Sequence, residues 1–398
     1  MLMKNISRTV VILSLVSFFT DVATEMLYPV MPIYLGSIGF SVVLIGVLEG
    51  FAEAIAGLSK GYFGKMSDIN GKRLPFIQWG YALSALSKPM MGALTMPLWI
   101  FSARTLDRFG KGIRTGARDA MLSDETDKSN KAKVFGFHRT LDTFGAVIGP
   151  LSALIYLYFR PGDYRTLFFI AFVPGILALL STFILKDKTK VDRSTTEKVK
   201  LVDFISYLKK GPKMYRKLLV GLLLFALFNS SDVFLLLKAK EAGMNDTYII
   251  GMYILYNLVY AILALPMGIL ADKIGLKKIF ILGLIIFAIV YFSMAITEST
   301  LVITGIFLLY GAFAASTEGI SKAWISNICE EKDTATAIGT YAGMQSICAM
   351  LASTICGVIW MMYGPATTFI VTGIITLIVV IYIAWQVHES PITEAEPT

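Results

Sequence analysis

Apolar runs of about 20 residues, the length a helix needs to cross a bilayer, recur along this chain with polar turns between them. They fall at 10–35, 41–63, 74–95, 97–118, 134–158 and 165–185, then at 215–238, 247–271, 277–297, 300–324, 336–362 and 366–386. The longest polar stretch, 186–213, separates the two sets and holds a short amphipathic piece around Phe204 to Leu208. The pattern predicts an all-α membrane protein of 12 transmembrane helices. Residues 1–185 form an N-terminal six-helix bundle, 186–213 a cytoplasmic linker and 214–398 a C-terminal six-helix bundle. The first run is too long for a signal peptide and lacks a small-residue cleavage site, so it reads as a retained helix.

Composition agrees: 16% of the residues are charged, against about 25% in a soluble domain. The net charge of +8 could suggest nucleic acid, but its placement excludes that reading. Basic residues gather in alternate loops, at Lys4 and Arg8, Lys72 and Arg73, Lys128 to Lys133, Lys186 to Lys217, and Lys273 to Lys278. The loops around Ser37, Thr95, Thr297 and Gly364 carry almost none. This is the positive-inside pattern and puts both termini in the cytoplasm, with a prokaryotic inner membrane as the expected location. Cys329, Cys348 and Cys356 lack metal-ligand spacing, and His138 and His388 are too few for a metal cluster, so no metal or other cofactor is expected. A membrane enzyme would need a catalytic cluster at one depth, which these residues do not supply. No G-x-x-x-x-G-K-[ST] loop occurs, so ATP does not drive the protein directly.

The two halves repeat a motif. Gly64, Asp68, Gly71, Lys72 and Arg73 follow the second run; Gly268, Asp272, Lys273, Gly275 and the Lys277-Lys278 pair follow the eighth. Glycines suit a tight turn, a carboxylate such as Asp68 can cap a neighbouring helix start, and Lys72 with Arg73 can hold the loop at an anionic leaflet. One copy could be a mere topogenic anchor; two copies at matching places suggest a gate latch. The repeat resembles the G-x-x-x-D-[RK]-x-G-[RK]-[RK] signature of the major facilitator superfamily, departing from it at Ile69 and in the shifted second basic pair. Gly145, Gly149 and Pro150 are similar to the Gly-Pro motif of its antiporter branches. Asp107-Arg108 through Ala120 looks like a prokaryotic subgroup with poorly defined substrates. The resemblance implies two parallel six-helix repeats rocking about a midplane site, with the first, fourth, seventh and tenth helices lining a cavity and the third, sixth, ninth and twelfth facing lipid.

Charges inside the helices follow that map. A mid-membrane charge costs ~2.5–3.5 kcal/mol on insertion scales and usually faces a cavity. The first helix has Asp21 and Glu25, four apart on one face, followed by Pro29 and Pro32. The second has Glu49, Glu53 and Lys60, and the third only Lys88. On the fourth, Arg104, Asp107, Arg108, Lys111, Arg114 and Arg118 fall within an arc of about 120° at ~100° per residue. The fifth carries His138, Arg139 and Asp142; the seventh Asp232 beside Asn229, Ser230 and Ser231; the tenth Glu318 and Lys322.

Glu25, then Asp21, are the expected proton carriers, with Glu49 and Glu53 as further coupling candidates, because buried carboxylates can titrate near physiological pH. Arg104, Arg108, Asp107, Asp232, Asn229, Glu318 and Lys322 are candidates for substrate binding. Each has a structural alternative: Asp107 can pair with Arg104 or Arg108, Glu49, Glu53 and Lys60 can neutralise the helix-four stripe, Glu318 can pair with Lys322, and Arg114 and Arg118 can be solvated. The expected function is proton antiport exporting a small organic or amphipathic solute. Import or exchange of an organic anion is the alternative, and a sensor or lipid scramblase the non-transporter reading. The helix-four bases balance the acids of the first two helices, so composition leaves the sign of the substrate open. The expected partners are the solute, protons and the bilayer, with the chain acting as a monomer.

Overall fold

The computed structural model describes residues 6–28, 30–40, 42–187, 206–229, 232–244 and 246–387. Nearly all are helical, and no strand occurs among them. The first half comprises α1 (Arg8–Leu27), α2 (Met31–Ser37), α3 (Val42–Asn70), α4 (Leu74–Ala93), α5 (Pro97–Asp124), α6 (Lys131–Phe159) and α7 (Tyr164–Thr182). After the short α8 (Tyr207–Lys210) come α9 (Lys213–Phe228), α10 (Val233–Glu241), α11 (Asp246–Ile274), α12 (Leu276–Ile296), α13 (Thr300–Ile328) and α14 (Thr334–Gln386). Gly364, at φ 84°, divides α14 into two arms that correspond to the last two expected spans. Helices α1, α6, α7, α11, α12, α13 and α14 are apolar enough to cross a bilayer by length and composition. Charge-laden α3 and α5 fall outside that set, as their sequences require. Phe204, in the expected amphipathic piece, lies outside the described residues; Tyr207 and Leu208 sit in α8.

Two expected spans are broken. Instead of one helix over 10–35, α1 ends at Leu27 and α2 begins at Met31; instead of one over 215–238, α9 ends at Phe228 and α10 begins at Val233. Pro32 occupies the first turn of α2, where its missing N–H is harmless, whereas further inside a helix it would remove a hydrogen bond. Asn229 and Asp232 flank the second break, since short polar side chains compete for backbone groups and favour helix ends. Pro29, Ser230 and Ser231 lie outside the described residues. The breaks occupy equivalent places in the two halves. Interrupted backbone at membrane depth is tolerated only against protein or a water-filled cavity, so each break marks an inner wall.

Packing follows the repeat. In the first bundle α1 lies against α6 and α7, α4 against α5 and α7, and α3 against α5. The second bundle repeats this, with α9 against α14, α12 against α13 and α14, and α11 against α13. The bundles meet through two reciprocal pairs, α3 on α14 and α6 on α11. Large apolar side chains such as Trp79 on α4, Val173 on α7, Ile289 on α12 and Ile381 on α14 stay exposed. On a chain this apolar, such a belt faces lipid.

Candidate functional site

At the end of the molecule that carries the basic loops, each bundle caps a helix of the other. Asp68 accepts hydrogen bonds from the backbone N–H groups of Ala335 (3.3 Å) and Thr336 (2.6 Å) and from the Thr336 hydroxyl (2.7 Å), all in the first turn of α14. Asp272 accepts from the N–H groups of Ala132 (3.0 Å) and Lys133 (2.7 Å), in the first turn of α6. Both satisfy orphan donors and sit at the positive pole of a helix. Close approach requires the glycines: a methyl on Gly64 would lie 2.5 Å from the Ala335 carbonyl oxygen, and one on Gly268 would overlap the Ala132 carbonyl. Gly71 (φ 63°) and Gly275 (φ 110°) make the turns that follow. Lys72 and Lys273 are exposed, but Arg73 is buried rather than turned to a leaflet. Its guanidinium donates to Asp68 and lies 3.7 Å from Asp124, so it completes the cap instead of anchoring the loop.

Glycine spacing also fixes the first helix. A methyl on Gly145 would lie 2.6 Å from the Phe18 carbonyl, and one on Gly149, just before Pro150, 2.7 Å from the Met26 nitrogen. The Gly-Pro segment of α6 therefore seats α1 at the level of Asp21 and Glu25.

The α5 stripe divides by role. Asp107 turns to α4, where it accepts from Lys88 (2.7 Å) and Ser84 (2.6 Å) with Arg104 at 3.5 Å. Its closest cation is thus Lys88, on a helix expected to face lipid. Arg114 stacks 4.5 Å above the Tyr81 ring and donates to the Gly80 carbonyl. Gly110 packs on α4 and Gly112 on α3, so this face lies inside the bundle. Arg104, Asp107 and Arg114 are buried there, and Arg108, also buried, lies within electrostatic reach of Glu25 and Glu53. Removing one member of a buried pair strands the other charge at ~3–5 kcal/mol. Lys88→Ala leaves Asp107 with Arg104 and is therefore expected to lower the melting temperature and yield of purified protein, and Asp107→Ala, which takes the acid from both Lys88 and Arg104, is expected to lower them further.

A different set opens onto the space between the bundles. Lys111 is exposed, and Asp21, Glu25, Glu53, Arg118, Arg139, Asp232 and Glu318 are partly exposed. Glu25 accepts from the Tyr253 hydroxyl of α11 at 3.4 Å, which places this carboxylate against the opposite bundle. Glu53 lies 3.6 Å from Lys60, whose ammonium donates to Ser346 of α14 at 2.7 Å. Lys111 stands within electrostatic reach of Arg108, Glu53 and Asp21. The side chain of Glu49 lies outside the described residues. At the α9–α10 break Asp232 accepts from Tyr310 (2.6 Å) and Tyr256 (3.0 Å). Tyr256 also packs its ring against those of Tyr253 and Tyr310, each at 5.4 Å between centroids. Asn229, partly exposed, ends α9 beside this carboxylate.

Toward the basic end this space has a charged floor. Asp119 is held by Arg118 (2.9 Å) and, across the bundles, by Lys322 (2.6 Å). Arg139 binds Asp142 (2.8 Å) and, across the bundles, Glu318 (3.2 Å). The expected Glu318–Lys322 pair is replaced by these contacts, because each side chain finds an opposite charge on the facing bundle. Ser17 joins His138 (2.9 Å) and Arg118 (3.1 Å) beneath. The sequence reading assigned no site role to Lys111, Arg139 or the three tyrosines. Among the described residues no group of His, Cys, Asp and Glu could hold a metal ion.

Comparisons with known proteins accord with this architecture. The sequence model of the Major Facilitator Superfamily matches residues 13–255 and 233–398. An uncharacterised MFS-type transporter of Methanocaldococcus jannaschii is 31% identical over 383 residues, covering 94% of each chain. The multidrug resistance protein MdtG of Escherichia coli is 25% identical over 320 residues, 77% of each. Among solved structures, the human organic anion transporter MFSD10 superposes with a TM-score of 0.81 over 94% of this chain and 98% of that one, at 15% identity.

Proposed function

Because the chain belongs to the major facilitator superfamily, and is therefore a multi-pass membrane transporter of small-molecule solutes rather than an enzyme, we propose that it exports an organic, amphipathic cation in exchange for protons. One observation carries this reading. Arg104 and Arg114, two of the bases that balance the acids in the sequence, are withdrawn into helix packing, whereas five carboxylates, of Asp21, Glu25, Glu53, Asp232 and Glu318, reach the central space against three cations, of Lys111, Arg118 and Arg139. An acid-rich, low-dielectric cavity attracts cations and rejects anions. Protons and a cationic solute can then compete for the same carboxylates, which is the minimum that antiport requires.

Within this reading Glu25 and Asp21 carry the exchanged proton. Asp232 with its three tyrosines receives the cationic head, since aromatic faces beside a carboxylate suit an alkylated or aromatic cation. The two latches close the basic end, the cytoplasmic side under the positive-inside reading of residues 1–185 and 214–398 as two bundles. The similarity to MdtG supports export. Lys111, exposed in the same space, favours the second reading, in which an organic anion is imported or exchanged. Proteoliposomes decide between them: counterflow of a cationic dye, stimulated by an opposing proton gradient, is expected, and counterflow of organic anions alone would overturn the proposal.

A further inference from the structure

The two cross-bundle ion pairs at the floor of the central space share a feature that a simple lock would lack. In each, the residue on the first bundle already has a second partner inside its own bundle. Asp119 keeps Arg118, its neighbour on α5, whether or not Lys322 is present. Arg139 keeps Asp142, three residues on along α6, whether or not Glu318 is present. Parting the bundles therefore strands no charge on the first bundle.

On the second bundle Glu318 and Lys322 both lose their partners at once, but they are of opposite sign and lie on one helix. Glu318 and Lys322 are i and i+4 on α13, neighbours on one face, with the acid N-terminal to the base in the better of the two orders. Lys322 is buried, Glu318 partly exposed, and both side chains now reach outward to the facing bundle.

We propose that Glu318 and Lys322 exchange partners during transport, bound to Arg139 and Asp119 while the basic end is closed and to each other when it opens. The exchange leaves every one of the six charges paired in both states. A buried charge that loses its only partner is strongly unfavourable, so a cross-bundle lock without this second arrangement would hold the closed state too firmly to turn over. It also gives Glu318, which opens onto the central space, a role in positioning the bundles, distinct from direct binding of solute. The inference rests on alternating access by these two bundles.

The sign of one substitution separates exchange from a lock. Glu318→Gln removes a cross-bundle pair, so a lock alone predicts that the basic end opens more readily. Under exchange, the closed state keeps Arg139–Asp142 and Lys322–Asp119, whereas the open state leaves Lys322 without a partner, so the basic end opens less readily. Cys329, buried at the end of α13 on this side, reports opening through its reaction with a maleimide in nanodiscs, once Cys348 and Cys356 are replaced by Ala. Glu318→Gln is expected to slow labelling by about tenfold, less than the full cost of a stranded buried charge, because Lys322 gains water as the bundles part. Glu318→Gln with Lys322→Gln is expected to restore labelling toward the parent rate, which a misfolded single variant would not do. Faster or unchanged labelling in Glu318→Gln overturns the exchange. The reversed pair, Glu318→Lys with Lys322→Glu, sets like charges across the bundles at both places and is expected to accelerate labelling. If it does not, the bundles do not part here, and alternating access through this end fails along with the exchange.

Discussion

Glu25→Gln is expected to abolish proton-driven net export while leaving gradient-free counterflow of the same solute intact. The two processes differ only in whether the carrier must return with a proton bound. Glu25 stands on the wall of the central space, its carboxylate touching Tyr253 of the opposite bundle at 3.4 Å and lying within reach of Lys111 and Arg108. A proton arriving there removes a charge felt by both bundles and by any cation bound between them. Linkage of this kind is typically worth ~1–3 kcal/mol, or about 5–150-fold in the affinity of one ligand when the other binds. Glutamine retains the shape and the hydrogen bond but cannot titrate. In proteoliposomes the variant should therefore show a flat pH profile and counterflow near the parent rate. Asp21→Asn, one turn away on the same face, should depress net export less. An unchanged pH dependence in Glu25→Gln would remove this residue from the coupling path.

The architecture was legible in the sequence because a bilayer imposes a length: twelve runs and one polar interval leave few alternatives, and the repeated Gly–Asp–Gly motif identifies equivalent turns. The interior was legible only in part. Helical periodicity fixes the angles between side chains on α5 but not the rotation of that helix against its neighbours. Arg104, Asp107 and Arg114 thus read as one stripe with Lys111, although the first three are buried in packing and Lys111 is exposed. The signal that could have separated them was present. Gly110 and Gly112 are interleaved with the charges, and small residues on a helix face mark close approach of another helix. Tyr253, Tyr256 and Tyr310 escaped notice because a tyrosine in an apolar run looks like any other aromatic residue until its hydroxyl is seen on a carboxylate. The breaks beside Asp232 and Tyr28 were visible as polar or proline-bearing spots, but a polar spot within a span does not say whether the helix stops there.

Removing the two helix caps at the basic end is expected to have the second largest effect, and an unequal one. Asp68→Ala deprives α14 of three donated hydrogen bonds and Arg73 of its closest acid, leaving the guanidinium with Asp124 at 3.7 Å. Asp272→Ala deprives α6 of two hydrogen bonds and touches no buried cation. Loss of a helix cap alone costs ~0.5–2 kcal/mol, and each cap exists only while the bundles meet at this end. Both substitutions should thus favour opening, Asp68→Ala by more than about tenfold in Cys329 labelling, since 1.4 kcal/mol corresponds to a factor of ten, and Asp272→Ala by less. The caps sit on different bundle pairs, α3 with α14 and α6 with α11, and share no partner, so their free energies should add and the double variant should label at roughly the product of the two accelerations. Export should fall in the same order, because the cycle needs the basic end closed while the opposite end releases its solute. Equal effects would mean that Arg73 contributes nothing to the closed state. A double variant no faster than Asp68→Ala would mean that the α6–α11 cap opens only after the other has given way.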